Sequence, residues 1–203
     1  MSKNLLIVFT RNPELGKVKT RLAKTIGDQK ALDIYRLLLE HTKKTIQNID
    51  CDKAVYYSEA IQGNDIWEKS KFQKYLQNGK DLGHRMHNAF DNAFNKGYKK
   101  VVIIGTDIID LQPNQINEAL RVLENHDVVI GPAKDGGYYL LGLKKLHPDI
   151  FKNKKWGTET IFQETMQDLD NVDVHLLVDL NDIDTYDDLK QYKELIKHIN
   201  LND

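Results

Sequence analysis

Short runs of consecutive apolar residues, bounded by polar residues, recur along this chain of 203 residues. Four of these runs show no alternation between apolar and polar positions, and they cover residues 5–9, 101–104, 128–130 and 176–178. Such runs are typical of strands that are buried on both faces of a parallel sheet. Residues 53–57 and 138–143 are also predicted to form strands.

Between these runs, apolar residues recur every three or four positions, which is the period of an amphipathic helix. The pattern predicts helices over residues 86–94, 116–123 and 189–199, and a longer helix over residues 31–46. Strands that alternate with helices predict an α/β fold with right-handed crossovers. Because the sequence shows no repeat and no low-complexity linker, we predict one domain over residues 1–203.

The charge balance narrows the range of partners. The formal net charge is -1 and the sequence pI is about 6.7, so no overall attraction to nucleic acid or to an anionic membrane is expected. The single cysteine, Cys51, excludes an internal disulfide and favours a reducing, cytoplasmic compartment. The apolar run at residues 5–9 is too short for a signal peptide, and no run approaches the roughly 20 residues of a membrane span.

A local cluster of positive charge follows the first predicted strand, in the sequence TRNPELGKVKTRLA at residues 10–23. Its cations surround Gly16, and they are Arg11, Lys17, Lys19 and Arg21. In α/β sheets ligands bind beyond the carboxyl ends of the strands, and backbone amides with cationic side chains suit a phosphate. Thr20 is predicted to cap the next helix, whose N-terminus favours an anion, and Thr20 and Arg11 are candidate phosphate-binding residues. The glycine spacing is neither that of a P-loop nor that of a Rossmann fingerprint, and a solvated basic loop is the competing interpretation.

Acidic residues follow two other predicted strands. Asp107 comes directly after the run at 101–104, where a carboxylate is well placed to bind Mg²⁺ or Mn²⁺. We interpret Asp110 instead as the cap of a helix that begins near Pro113. After the run at 176–178, Asp182 or Asp184 is a candidate second metal ligand, although a capping box at residues 185–188 also explains this acidic segment.

Two glycine-rich segments have both a structural and a functional interpretation. The sequence GPAKDGGYYLLGL, residues 131–143, predicts a hairpin turn at Asp135, Gly136 and Gly137. Alternatively, these glycines let the backbone approach a ligand, with Tyr138 offering a ring and a hydroxyl. In residues 77–86, Asp81 and Arg85 would contact a substrate, which we assign to the acceptor, or would form a helix cap and a surface ion pair.

These motifs together resemble a known family. The ordered series NPELGKVKTRLA, DLGHRM, IIGTDIIDL, IGPAKDGGYYLLGL and DIDTYDDL is similar to a bacterial glycosyltransferase-like family of the nucleotide-diphospho-sugar transferase superfamily. Molybdenum-cofactor and phospholactate guanylyltransferases are more distant relatives by this resemblance. The resemblance runs from about residue 4 to residue 189. It implies a GT-A, Rossmann-like three-layer sandwich around a mostly parallel mixed sheet.

The resemblance also implies roles for particular residues. The nucleotide phosphates would contact Gly16, Lys17, Lys19 and Arg21, and the metal would bind Asp107 with Asp182 or Asp184. The segment 131–138 would line the acceptor side, with Trp156 and Thr158 nearby. The chain departs from the family at Ile109 and Tyr186, where many members have proline. It also lacks the two-carboxylate DxD signature of many glycosyltransferases.

Three functions follow as hypotheses. The first is metal-dependent nucleotidyl transfer from a nucleoside triphosphate to a small phosphorylated or hydroxylated acceptor, with pyrophosphate release. Lys17, Arg21 and Asp107 would be its catalytic residues, because transfer at an α-phosphate needs positioning and charge neutralisation. The second is glycosyl transfer from a nucleotide-sugar, and the third is nucleotide binding without catalysis. The sequence is compatible with a homodimer.

Overall fold

The computed structural model of the protein describes residues 3–199. Its strands are β1 (Asn4–Thr10), β2 (Asp52–Tyr57), β3 (Gln73–Leu76), β4 (Lys100–Ile104), β5 (Val128–Pro132), β6 (Tyr138–Leu143) and β7 (Val174–Leu176). Its helices are α1 (Thr20–Ile26), α2 (Asp28–Ile46), α3 (Leu82–Asn95), α4 (Pro113–Val122), α5 (Ile161–Asp168), α6 (Tyr186–Leu189) and α7 (Lys193–His198). A 3₁₀ helix covers Pro148–Phe151.

The seven strands form one mixed sheet in the order β3-β2-β1-β4-β6-β5-β7. All neighbouring pairs are parallel except those of β6, which runs antiparallel to both β4 and β5. Parallel β1 and β4 therefore end at the same edge of the sheet, with Val8 opposite Ile104. This arrangement confirms the predicted α/β fold and its mostly parallel mixed sheet.

Helices cover both faces of the sheet because alternate strand residues are apolar on each side. On one face, Leu6 and Val8 of β1 pack with the apolar residues of α2 and α4. On the other face, Leu5 and Ile7 pack with α3, including the fully buried Phe90. A third cluster joins α1, α2 and the C-terminal helices. The result is the three-layer sandwich that the resemblance implied.

Most predicted elements are present, and three differences have physical reasons. Strand β3 was not predicted because it lies at the sheet edge and has no run of apolar residues. Strand β7 covers Val174–Leu176, so the predicted strand at 176–178 overlaps it by one residue only. The helix predicted over 189–199 is two short helices, since the chain turns at Gln191 and Tyr192, whose amides donate to Asp188 and Leu189.

None of the helices in the described part of the chain combines the length and the apolar character needed to cross a bilayer.

Candidate active site

The basic loop leaves the carboxyl end of β1, and buried polar side chains fix its course. Asn12 is 3% exposed, and its amide donates to the Ala60 carbonyl while its oxygen accepts from the Glu59 amide at 3.0 Å. The Tyr35 hydroxyl of α2 accepts from the Arg11 amide at 2.9 Å and lies 3.3 Å from the Thr106 hydroxyl. Buried polar groups that are satisfied in this way specify one loop conformation.

Lys19 is the most unusual residue of this loop. It immediately precedes α1 and has a left-handed backbone with φ 46°, a conformation that costs a non-glycine residue about 1–2 kcal/mol. Its side chain is only 6% exposed, and its ammonium donates to Asp107 Oδ2 at 3.1 Å. Asp184 Oδ1 lies 3.9 Å from the same ammonium. Strain of this kind persists where the surrounding structure holds the residue in place.

The charges of this cluster shift one another's pKa values. Burial lowers the pKa of Lys19, but the carboxylates of Asp107 and Asp184 more than offset this effect and hold it above its ordinary value. Removal from water raises the pKa of Asp107, but the neighbouring ammonium holds it below its ordinary value. Both residues are therefore charged near neutral pH.

The other loop cations are more exposed. Lys17 pairs with Glu14 at 2.6 Å and is 65% exposed, while Arg21 donates to Asp184 Oδ2 at 3.1 Å. Gly16 has φ 73°, which lets the chain turn between Glu14 and Lys17. These side chains are held only by surface pairs, which contribute little, so an incoming anion can recruit them at low cost.

A polar cleft of about 750 Å³ opens over this loop. All four loop cations line it together with Arg85, and Thr20 and Asp107 also contribute to its wall. Its volume lies within the range of pockets that enclose a nucleotide-sized ligand, about 300–1,000 Å³. The cleft can therefore accept a polyphosphate beside the end of β4.

The acidic segment before α6 is tied to Asp107 by the backbone. The Ile183 amide donates to the Asp107 carbonyl at 3.1 Å, and the Ile183 side chain is fully buried. This bond brings Asp182 and Asp184 to Asp107. Asp184 is engaged by Arg21 and Lys19, whereas burial and the carboxylates of Asp107 and Asp135 raise the pKa of Asp182 to about 6.

The carboxylates of Asp107 and Asp182 suit a hard cation, because such cations prefer oxygen ligands and because a cation would relieve the repulsion between the two negative charges. Within residues 3–199, no group of three His, Cys, Asp or Glu side chains forms a cage for a metal ion. The remaining coordination positions would therefore belong to substrate phosphates and water, as is usual for Mg²⁺.

A second cavity, of about 260 Å³, lies on the other side of Asp107. The β5–β6 hairpin forms one wall, where the Gly137 amide donates to Asp135 Oδ1 at 2.9 Å in the predicted turn. Tyr138 and Trp156 meet edge to face, with ring centroids 6.5 Å apart. Thr158 lines the same cavity. This cavity shares only Phe9, Leu82, Gly105 and Asp107 with the polar cleft.

The hairpin tip packs closely against the segment before α5. Gly136 has φ 87°, and a Cβ there would lie 2.1 Å from the Glu159 carbonyl oxygen. The Phe162 amide donates to the Gly136 carbonyl at 2.9 Å. Gly136 therefore fixes the wall of the cavity without lining its interior.

Two residues that were predicted to bind the acceptor line the polar cleft and not the second cavity. Asp81 and Arg85 line the polar cleft with the basic loop. Asp81 caps α3 by accepting from the His84 amide, which confirms the capping interpretation, and Arg85 donates to the Gly79 carbonyl at 3.2 Å.

Two capping predictions are wrong. Thr20 does not cap α1, because Lys19 takes the capping position and no side chain caps that helix end. Asp110 does not cap α4, since Gln112 forms a capping box with Gln115 while Asp110 accepts from the Tyr192 hydroxyl at 2.6 Å. The capping box at Thr185 is confirmed.

Sequence reasoning did not select Asn12, which ties the basic loop to the segment after β2. It also missed Tyr35 and Thr106, which link the loop to the end of β4. Their signal was present but weak. Asn12 and Thr106 each lie two residues after a buried strand, at the sheet edge where ligands bind in an α/β fold. Tyr35 gives no such signal, because it lies within an amphipathic helix.

Comparison with known proteins shows the family of the chain. Residues 41–158 match the family described as uncharacterized protein conserved in bacteria (DUF2064). The chain belongs to this family. It is also similar to the crystal structure of a protein from Desulfovibrio desulfuricans G20, described provisionally as a nucleotide-diphospho-sugar transferase. The two share 32% identity and a TM-score of 0.84, with 100% of both chains covered.

Two further similarities are more distant. Over 131 residues the chain is 28% identical to the 2-phospho-L-lactate guanylyltransferase of Methanocaldococcus jannaschii, a match that covers 64% of this chain and 56% of that protein. The chain thus spans little more than half the length of this curated relative. The 4-diphosphocytidyl-2C-methyl-D-erythritol synthase of Anaerococcus prevotii is 11% identical with a TM-score of 0.61, covers 96% of both chains, and shows a shared fold.

Proposed function

We propose that this family member is a nucleotidyltransferase, which transfers a nucleotidyl group from a nucleoside triphosphate to a small acceptor and releases pyrophosphate. One observation carries the proposal: a cation-lined cleft and a mainly apolar cavity meet at Asp107. The cleft suits the triphosphate, and the cavity suits the acceptor. The guanylyltransferase name of the Methanocaldococcus relative supports the same reaction type.

The side chains of the cleft have separate roles in this reaction. Lys17 and Arg21 are exposed and weakly paired, so they turn to the β- and γ-phosphates and neutralise the departing pyrophosphate. Arg11 and the amides around Gly16 orient the same phosphates. Lys19 is held by Asp107, and it positions that carboxylate beside the α-phosphate.

Asp107 and Asp182 would hold a divalent cation, which when bound supplies charge neutralisation at the phosphates. Asp184 pairs with Arg21 and orients it, and it helps to hold the ammonium of Lys19 in place. Asp81 and Arg85 belong to the nucleotide side in this proposal, while Asp135, Gly136, Gly137, Tyr138, Trp156 and Thr158 shape the acceptor side. In-line positioning and electrostatic stabilisation are the main requirements of such a transfer.

The test begins with binding of the donor. The four common nucleoside triphosphates are added with Mg²⁺ or Mn²⁺, and the shift in melting temperature is measured. At least one triphosphate should stabilise the protein, and Lys17→Ala or Arg21→Ala should each weaken its binding about fivefold to tenfold. Lys24→Ala is the matched control, since Lys24 is an exposed cation of α1 that does not line the cleft.

Turnover is measured next as pyrophosphate release with candidate acceptors. If no triphosphate shifts the melting temperature with either metal, the nucleotidyltransferase proposal is wrong. If triphosphates bind but no acceptor supports pyrophosphate release, the third hypothesis of a non-catalytic nucleotide-binding protein is favoured.

Glycosyl transfer is the second candidate, favoured by the nucleotide-diphospho-sugar transferase description of the Desulfovibrio relative. It predicts that a nucleotide-sugar stabilises the protein more than any triphosphate does. It also predicts release of a nucleoside diphosphate in place of pyrophosphate. The absence of a second carboxylate two residues after Asp107, where Ile109 stands, weighs against it.

A further inference from the structure

The second cavity, which the proposed function assigns to the acceptor, differs in its chemistry from the polar cleft. Its interior wall is formed mainly by aliphatic and aromatic side chains, and the principal ones are Phe9, Met86, Ile103, Tyr138, Trp156 and Ile161. Met86 and Ile161 are each at most 4% exposed, so this wall is part of the packed core. Such a wall favours a ligand with an apolar body.

The charges of the cavity are all of one sign. No lysine, arginine or histidine lines it among the described residues, and its charged groups are Asp107, Asp135 and Asp182. Lys19, which donates to Asp107 at 3.1 Å, is already paired with that carboxylate. A divalent cation held by Asp107 and Asp182 would balance only these two carboxylates and would leave the charge of Asp135 uncompensated. A phosphate or carboxylate inside the cavity would therefore lose its hydration without meeting a cationic side chain, which is unfavourable.

We propose that the acceptor is an uncharged alcohol, with an apolar body in this cavity and its hydroxyl at the Asp107 end. This inference rests on the proposed nucleotidyl transfer. The hydroxyl oxygen forms a bond to the α-phosphorus of the triphosphate, and the bond between that phosphorus and the pyrophosphate oxygen breaks. The bonding pair leaves with pyrophosphate, and the hydroxyl proton passes to water in the open cleft.

The size of the cavity limits the acceptor further. A volume of about 260 Å³ lies just below the range of drug-sized ligand pockets. A single ring or a short branched chain fits this space. A larger acceptor would extend past Asp135 and Thr158 to the shallow surface beside Lys134, which these two residues also line.

The chain carries its own reporter of acceptor binding. It has two tryptophans, and Trp156 lines the cavity, whereas Trp67 is 2% exposed within the core on the opposite face of the sheet. Fluorescence titration of the Trp67→Phe variant isolates the signal of Trp156. The same titration of the unaltered protein guards against a folding defect in the variant, because buried Trp67 adds a constant background.

The probes are benzyl alcohol, benzyl phosphate and glycerol. Benzyl alcohol combines an apolar ring with a hydroxyl, benzyl phosphate combines the ring with a charge, and glycerol has hydroxyls without a ring. Benzyl alcohol should change the Trp156 emission in a saturable way, with an affinity at least about tenfold higher than that of benzyl phosphate or glycerol. Tighter binding of benzyl phosphate, or no response to benzyl alcohol, would overturn the inference.

A matched pair of variants tests the role of charge. Leu82 is 44% exposed at the mouth of the cavity, and Leu76 is 48% exposed on edge strand β3, away from both cavities. Leu82→Arg should raise the affinity for benzyl phosphate about fivefold, whereas Leu76→Arg should leave it unchanged. An equal effect of the two variants would show that the cavity does not discriminate by charge.

The two proposals fail in different ways. Trp156 fluorescence needs neither triphosphate nor turnover, so binding of benzyl alcohol without any response to triphosphates rejects nucleotidyl transfer alone. Binding of triphosphates together with pyrophosphate release only for phosphorylated acceptors rejects the uncharged acceptor alone.

Discussion

The pair formed by Lys19 and Asp107 gives a direct test of how the site is held together. We consider Lys19→Met, which keeps most of the side chain length and removes the ammonium. Lys19 is 6% exposed and Asp107 is 40% exposed, so the pair is intermediate between a buried and a surface ion pair. Without the ammonium, Asp107 loses its largest favourable charge contact while the repulsion from Asp182 stays, and only the charge of Arg11 is left to offset it.

The magnitude follows from this intermediate burial. Surface pairs contribute about 0–1 kcal/mol, and loss of one partner of a buried pair costs about 3–5 kcal/mol. Because water screens the exposed part of Asp107, we expect a coupling free energy of about 2 kcal/mol between Lys19 and Asp107. The left-handed backbone at Lys19 does not contribute, since methionine occupies the same strained conformation.

The assay is a double-mutant cycle by urea unfolding, with a chelator present in every sample. The free energies of unfolding are compared for the unaltered protein, Lys19→Met, Asp107→Asn and the double variant. Asp107→Asn should restore part of the stability that Lys19→Met removes. A coupling below about 0.5 kcal/mol would refute the view that this pair holds the loop against β4.

Three further outcomes are expected elsewhere. Gly83→Ala should raise the KM for the acceptor more than that for the donor, because a Cβ there lies 2.4 Å from Trp156 Nε1 and 2.6 Å from the Phe151 carbonyl oxygen. Steady-state kinetics with each substrate varied checks this, and equal effects on both substrates would contradict it. Gly136→Ala should lower the free energy of unfolding by about 2 kcal/mol or more, measured in urea, because its Cβ lies 2.1 Å from the Glu159 carbonyl; an unchanged unfolding midpoint would contradict the packing argument. Burial raises the pKa of Cys51 from 9.0 to about 11. Near pH 8 the alkylation of Cys51 should therefore be about 100-fold slower in the folded protein than in urea, and the rate should rise as the pH approaches 11. Equal rates in the two states would show that the thiol is not buried.

The sequence was sufficient to predict the edge of the sheet at which the site lies. The apolar runs that became β1 and β4 are buried on both faces, and parallel neighbours end at the same edge. The basic loop and Asp107 follow these two strands, so their proximity could be expected before any coordinates. The hairpin turn at Asp135 was similarly predictable, because its glycines follow a strand.

Other features depend on contacts between distant segments, which a local pattern does not encode. The bond from the Ile183 amide to the Asp107 carbonyl joins segments that lie far apart in the chain. Asp110 was assigned to the wrong partner for the same reason, because Tyr192 comes from the far end of the chain. Strand β3 was not predicted because it pairs with β2 through backbone hydrogen bonds at the sheet edge, and this pairing does not require a run of apolar residues.

The meeting of the two cavities at Asp107 has a consequence for how this family can diversify. Under the proposed function, the donor wall comes largely from residues near the start of the chain, and the acceptor wall from the β5–β6 hairpin and the segment before α5. Substitutions in the later segments would then change which acceptor is used while the nucleotide contacts stay intact. The hairpin is therefore the part of the chain to compare when the acceptors of its relatives are sought.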